Sequence, residues 1–419
     1  MAKISRQLKT NQILILIGPR QTGKTSILSL IKNKIAIKSN IPILSLNVEK
    51  SSDILHLDNF SSFIAYLRIH NIHDKQAIVF IDEFQKMNHP TKLLKLVYDE
   101  LPLIKIIATG SSSLEIFARL SEESMAGRKR IIPVLPLSFS EFLLFRYPNI
   151  LPLWQNLQKT NAPESILPEI MSAWQDFVVY GGYPRVALIA TQESRIEELE
   201  EIYNAYLQKD IAGILQKDKK IAFTKLVILL SSQNGQLLNI NELSNTLSLA
   251  RSTIERFLFV LQETFIIKLV NPYFTNKRKE ITKMPKIYFI DIGMRNFIKQ
   301  DFSDLDLRSD NGQLVENFVL SELLKYSKVW HKFFFWRTPS GAETDFVIKR
   351  DQILFPIEVK FKSFKKPIVP SGLKAFINHY QPKQGFVLTK NFSAKTEYNG
   401  CKIIFLPAFL ASKIFLYID

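Results

Sequence analysis

A single cysteine, Cys401, is all the chain contains, so no internal disulfide framework holds it together and a reducing compartment is expected. Long apolar runs are missing too. The longest, such as NQILILI and AIVFI, fall far short of the roughly 20 residues that cross a bilayer. Lys3, Arg6 and Lys9 precede ILILI, but that run is too short for a signal peptide and leads into a glycine loop rather than a cleavage site. The expected location is therefore cytoplasmic, with no membrane partner. Histidine is scarce. His70 and His73 have ligand-like spacing but no cysteine or further histidine close by in sequence, which argues for a loop rather than a zinc site. Internal repeats and low-complexity tracts are absent as well.

What is present is a folded chain. Its 419 residues are 46% hydrophobic, enough for several domains with ample core. The net charge of +16 favours polyanions, nucleic acid first and anionic membrane surface second; the nucleic acid expected is DNA ahead of RNA. The positive charge gathers at GRKR (127–130), NKRKEITKMPK (276–286) and VKFKSFKK (359–366).

The most specific motif comes early. NQILILIG reads as a buried strand and SILSLIKNK as a helix; between them Gly18, Pro19, Arg20, Gln21, Thr22, Gly23, Lys24 and Thr25 complete a phosphate loop, with Ser26 next in line. Glycines let backbone N–H groups turn inward around phosphates, where the helix N-terminus adds partial positive charge. Lys24 is placed for the β- and γ-phosphates of ATP, and the Thr25 hydroxyl for Mg²⁺. The strand AIVFIDEF supplies the second half of such a site. Asp82 would hold Mg²⁺, and Glu83 would orient and polarise the attacking water. A third strand, LIKIIATGSSS, ends at Thr109. Arg128 follows in AGR, as an arginine finger acting on a neighbouring subunit, a same-chain sensor or a solvated basic turn; the first would bring homo-oligomers on ATP binding.

Residues 146–220 carry helix-period apolar positions and read as a small helical lid. Residues 221–308 read as helix, turn, helix, with an S-x-x-E capping box from Ser252 to Glu255 and Ile254, Leu258, Leu261 and Phe265 on one face. IIKLVNPYF and KMPKIYFI would be the strands of a wing, which makes a winged helix. Arg251, Arg256, Lys277 and Arg278 are its candidates for DNA contact.

From residue 309 the pattern becomes mixed α/β. GQLVENFVLSELLKY is an amphipathic helix carrying Glu316. FFFWRTPSGAETDFVIKR is a hairpin-like strand pair, its FFFW stretch assigned to core, and FPIEVKFK is a third strand. Alternation puts Glu343 and Asp345 on one face, and Glu358 and Lys360 on one face. Asp345 followed by Glu358-Val359-Lys360 has the D…ExK spacing of the PD-(D/E)XK nuclease fold. There Asp345 and Glu358 would hold Mg²⁺ that activates water, and Lys360 would stabilise charge building on phosphate oxygens. Glu316 is the upstream helical glutamate of that set.

Taken in order, GPRQTGKT, FIDEFQK, ATGSSS, AGR with PLSFSEF, YGGYP, YLQKDI, KIYFIDIGM, and GAETDFVI with PIEVK resemble prokaryotic AAA-type (STAND-related) ATPases joined to a C-terminal nuclease-like domain. The resemblance implies a γ-phosphate-sensing role for Thr109. It also implies a nucleotide contact for Gly182 and Pro184, which match a Gly-x-Pro element near the lid. The expected fold class is α/β, divided as a P-loop core (1–145), lid (146–220), winged helix (221–308) and nuclease-like domain (309–419). The expected activity is that of an ATP- and Mg²⁺-dependent ATPase whose nucleotide state governs the rest of the chain. Two rivals stand beside it: a regulatory or scaffold ATPase with an inactive nuclease-like domain, and a winged-helix DNA-binding regulator.

Overall fold

Five parallel strands carry the N-terminal part of the chain: β1 (Ile13–Gly18), β2 (Ile43–Asn47), β3 (Ala77–Asp82), β4 (Ile104–Ser111) and β5 (Lys129–Pro133). Their spatial order is β2-β3-β4-β1-β5. Parallel sheets are covered on both faces, so their strands read as unbroken apolar runs. Every residue of β1 is buried accordingly. One face of the sheet packs Ile15, Val79 and Ala108 against Phe63, Leu94 and Val97, and the other packs Leu14, Phe80 and Ile107 against Leu28 and Ile31. The strand order matters for function because β4 pairs with both β1 and β3. The C-terminal ends of all three therefore open at one edge, where ligands of open α/β sheets bind.

The structure, a computed structural model, describes residues 8, 10–111, 125–159, 167–211, 215, 217–276 and 283–419. The expected DNA-contact residues Lys277 and Arg278 lie outside the described residues, as do Ser112 and Ser113 of ATGSSS. Among the described residues no helix is long and apolar enough to cross a membrane.

The chain forms two compact units rather than the four parts expected. The first comprises residues 1–135, 205–214 and 263–265; the second comprises 136–204, 215–262 and 266–419. The second is built on a mixed sheet of β6 (Ile267–Pro272), β7 (Lys286–Phe289), β8 (His331–Arg337), β9 (Glu343–Arg350), β10 (Ile353–Lys360), β11 (Gln384–Thr389), β12 (Ala394–Tyr398) and β13 (Cys401–Pro407). Its order is β12-β13-β11-β10-β9-β8-β6-β7. The β6–β7 pair, expected to be the strands of a wing, also forms the edge of this larger sheet, joined through the Asn271–Phe334 and Pro272–Phe335 register of β6 and β8.

The helix Asn311–Tyr326 lays Leu314, Phe318 and Leu320 onto the sheet residues Phe346, Ile348 and Ile357 in one core. Phe334, Phe335 and Trp336 of the FFFW stretch are buried, as expected for core. The described residues of 136–204 are mostly helical. Their first helix, Phe139–Arg146, starts from a capping box between Ser138 and Glu141 within PLSFSEF. The other expected box does not form. The helix Arg251–Glu263 begins two residues too early for Ser252 to cap it, and Glu255 pairs with Arg251 one turn away at 2.8 Å. Ile254, Leu258 and Leu261 are buried on one face as anticipated, whereas Phe265 belongs to the first unit.

Candidate functional site

The phosphate loop closes the C-terminal end of β1. Gly18 has no room for a side chain, since a Cβ there would sit 2.0 Å from the Val134 carbonyl oxygen. Gly23 adopts φ 84°, a left-handed conformation that favours glycine, and caps the helix Lys24–Lys38. The Thr22 hydroxyl donates to the carbonyl of the buried Pro19 at 2.9 Å and ties the loop across itself. Lys24 folds into the loop, where its ammonium donates to the carbonyls of Gly18 and Pro19 at 3.0 and 2.6 Å. Burial lowers its pKa to about 8, against the opposing pull of Glu83. The buried Gln21 side-chain oxygen has no partner. Thr25 and Ser26 lie exposed on the first helical turn.

The three strand ends then converge. The Thr25 hydroxyl donates to one Asp82 carboxylate oxygen at 2.9 Å, and the Thr109 hydroxyl donates to the other. A hydroxyl and a carboxylate so placed are hard oxygen donors of the kind Mg²⁺ takes. A cavity of about 210 Å³ opens there, lined by Thr25, Asp82, Ser29, Lys32, Asn47 and Lys50. Glu83, the next residue, turns the chain sharply with φ 57°. Its carboxylate accepts from the Gln85 amide, which also donates to the Ser111 hydroxyl at 3.0 Å. Gly110 permits that approach, because a Cβ there would lie 2.7 Å from Gln85 and from Phe84.

Arg128 lies away from the phosphate loop of its own chain. It sits at the start of β5, and its carbonyl accepts from the Ile13 N–H at the opposite end of β1 from the phosphate loop. Five residues of strand place it about 16 Å from Gly18. Its guanidinium binds both oxygens of Asp99 at 2.8 and 3.2 Å.

Sequence reasoning missed Asp210. It lies in a π-helical turn, Tyr206–Ile211, which belongs to the first unit, and its carboxylate accepts from Arg20 of the phosphate loop at 2.9 Å. Burial raises its pKa to about 6, outweighing the pull of Arg20 and Lys24. The ionised form is thus penalised in the fold: between the unfolded value near 4 and about 6, the folded chain binds the extra proton. Asp210→Asn should accordingly be more stable than wild type by about 2 to 3 kcal/mol above pH 6. That advantage should fade as pH falls from 6 to 4. Paired urea titrations at pH 7.5 and 4.5 measure it; an advantage equal at both pH values refutes the assignment.

In the second unit the expected carboxylates come together, with additions. Asp345 and Glu358 face each other across the β9–β10 pair, and Asp345 accepts from the Val359 N–H at 2.7 Å. Lys360 pairs with one Glu358 oxygen at 2.7 Å, while the other oxygen is buried without a partner. Burial pushes both carboxyls up from their ordinary range; Asp345 raises Glu358 further, and Glu343 raises Asp345. Glu316 departs from expectation. One of its oxygens accepts from Lys286 at 3.1 Å and from the Tyr288 hydroxyl. The Lys286 ammonium also bridges to Glu343 at 2.6 Å. Sequence reading placed Lys286 in the basic run of a wing; the structure buries it among carboxylates. Among the described residues, no group of three or more His, Cys, Asp or Glu side chains is arranged to hold a metal ion.

Gly182 and Pro184 lie in the second unit. The Gly182 N–H donates to Asp291 at 2.8 Å, its carbonyl accepts from Leu137 at 2.7 Å, and Pro184 opens a short helix. His73 pairs with neighbouring Asp74 at 2.7 Å.

Residues 10–143 match the family described as AAA domain. Residues 171–309 and 311–409 match two domains of unknown function, DUF8612 and DUF4143. An uncharacterized protein of Methanocaldococcus jannaschii is 27% identical over 82% of this chain and 74% of its own length. One of Haemophilus influenzae is 23% identical over 96% of this chain and 94% of its own. Among solved structures, the chain is similar to the Aeropyrum pernix ORC1 protein in complex with DNA, at 12% identity over 72% of this chain and 91% of that one, with a TM-score of 0.32.

Proposed function

We propose that this AAA-type protein is a Mg²⁺-dependent ATPase whose nucleotide state controls a winged helix and a nuclease-like domain acting on nucleic acid, DNA ahead of RNA. The observation that carries the ATPase half is the meeting of Thr25, Asp82 and Thr109 beside Lys24 and Glu83. Thr25 and Asp82 are the residues that would hold Mg²⁺, which when bound would supply neutralising charge for the phosphates. Lys24 exchanges its two loop carbonyls for phosphate oxygens, and Glu83 orients the attacking water and polarises it.

The helices Lys217–Ser232, Ile240–Leu247 and Arg251–Glu263 support the winged-helix reading, as do the antiparallel β6–β7 pair and the Leu237–Lys286 bridge. The partnerless Glu358 oxygen supports the nuclease reading: Asp345 and Glu358 are the residues that would hold a divalent ion, which supplies an activated water. Glu316, being bound to Lys286 and Tyr288, serves that pair as support. The same Lys286 contact favours one second reading, a regulatory ATPase whose nuclease-like domain no longer cleaves.

Cleavage of single- and double-stranded DNA and RNA with Mg²⁺ or Mn²⁺, with and without ATP, separates the two. The first reading expects cleavage that Asp345→Asn abolishes and that Lys24→Ala alters. If no substrate is cut while ATP turnover continues, the regulatory reading replaces it.

A further inference from the structure

Immediately after β10 the chain runs through Phe361–Pro370 into the helix Ser371–Tyr380, and this segment walls a cavity of about 470 Å³. Lys360, Lys362, Lys365 and Lys366 line it with the hydroxyl residues Ser363 and Ser371, and no carboxylate does. Lys360 is paired with Glu358, but Lys362, Lys365 and Lys366 make no ion pair among the described residues. Four cations within seven residues repel one another, and an anion between them relieves that repulsion.

The lysines stand on an anchored segment. Phe364 packs against Phe392 and Phe405 with ring centroids 6.0 and 5.8 Å apart. The Lys362 carbonyl accepts from the Lys390 N–H at 3.3 Å. The ten-residue helix that follows has no side-chain cap at its N-terminus, so its first N–H groups add partial positive charge on the same side. Gly372 lets that end close onto β9, since a Cβ there would sit 1.8 Å from the carbonyl oxygen of Glu343, the residue that binds Lys286. The basic cavity and the carboxylate cluster thus adjoin, sharing Lys360.

We propose that this cavity is a phosphate-binding site for a nucleic-acid strand, holding backbone phosphates on Lys362, Lys365 and Lys366 so that the strand leads past Lys360 to Asp345 and Glu358. The inference rests on the nucleic-acid reading above and names the residues that would seat the substrate. The string of cations, open along one side, suits successive phosphodiesters better than a single free phosphate. Contacts of this kind position a strand without reading its sequence.

The test is fluorescence anisotropy of the full-length chain with labelled single- and double-stranded 20-nucleotide DNA and the RNA equivalent, in EDTA, over a range of salt. Replacing Lys362, Lys365 and Lys366 together by glutamate should weaken binding about thirtyfold or more, and lower the single-strand salt slope by about 2. The corresponding glutamine triple should fall between. All three lysines are exposed, so melting temperatures should not move. Unchanged affinity and slope in both triples would overturn the site while leaving nucleic-acid binding elsewhere intact. Displacement of the strand by stoichiometric inorganic pyrophosphate would overturn it in favour of free phosphate. A wild type that binds no oligonucleotide would remove the nucleic-acid reading itself.

Discussion

Lys286→Met destabilises the second unit by about 3 to 5 kcal/mol, the range for removing one partner of a buried ion pair. The side chain is 4% exposed and its ammonium sits between Glu316 and Glu343. Asp345 adds attraction, and burial opposes it. Methionine fills much the same volume, so packing loss is small and the measured effect is that of the charge. Glu316 then keeps only the Tyr288 hydroxyl, and it takes up a proton rather than remain an unpaired buried anion. The readout is unusually direct because all four tryptophans, Trp154, Trp174, Trp330 and Trp336, belong to the second unit. Urea titration followed by tryptophan emission therefore reports that unit alone, free of the first unit's transition. A loss below about 1 kcal/mol would mean that Lys286 is not the counter-charge of the cluster.

The same residue shows where sequence reasoning reached and where it stopped. The phosphate loop was legible because one strand, one turn and one helix supply every group in it. Asp82 and Thr109 were legible because each ends an apolar run, and parallel strands buried on both faces announce themselves that way. Asp345, Glu358 and Lys360 were legible through strand alternation in two adjacent strands. Lys286 was not. It lies 30 residues before Glu316 and 57 before Glu343, inside a basic run that resembled the tip of a wing, and only the pairing of β6 with β8 carries β7 into the C-terminal sheet. Asp210 was hidden for the same reason, 190 residues from Arg20. Arg128 could not be placed from its motif, because order along the chain does not say which end of a parallel sheet a residue occupies. That depends on β5 lying beside β1 in the Ile13–Lys129 register. Local chemistry was readable wherever contiguous residues make the site, and unreadable wherever strand order does.

Glu83→Gln, the second large effect, lowers ATP turnover about 100- to 1,000-fold and leaves nucleotide affinity within about threefold. The affinity claim follows from position. In the proposed site Lys24, the loop N–H groups, Thr25 and Asp82 would hold phosphates and metal, and Glu83 is in none of the contacts that place them. The turnover claim follows from chemistry: glutamine keeps the shape and the hydrogen bond to Gln85 but cannot accept a proton from water. Gln85 makes the assignment sharper. Its amide joins Glu83 to Ser111 on β4, the strand that also carries Thr109 to Asp82, so the carboxylate's aim is set by the sheet that supports the metal site. Gln85→Ala should therefore lower turnover too, by less than Glu83→Gln, because the base remains and only its orientation is loosened. Phosphate release and binding of a fluorescent ATP analogue, measured on the same preparations, separate the two quantities. If Glu83→Gln turns over ATP within tenfold of wild type, another group activates the water. Should affinity and turnover instead fall in parallel, Glu83 belongs to the binding set with Lys24, and the Asp82–Thr109 contact becomes the place to look for the base.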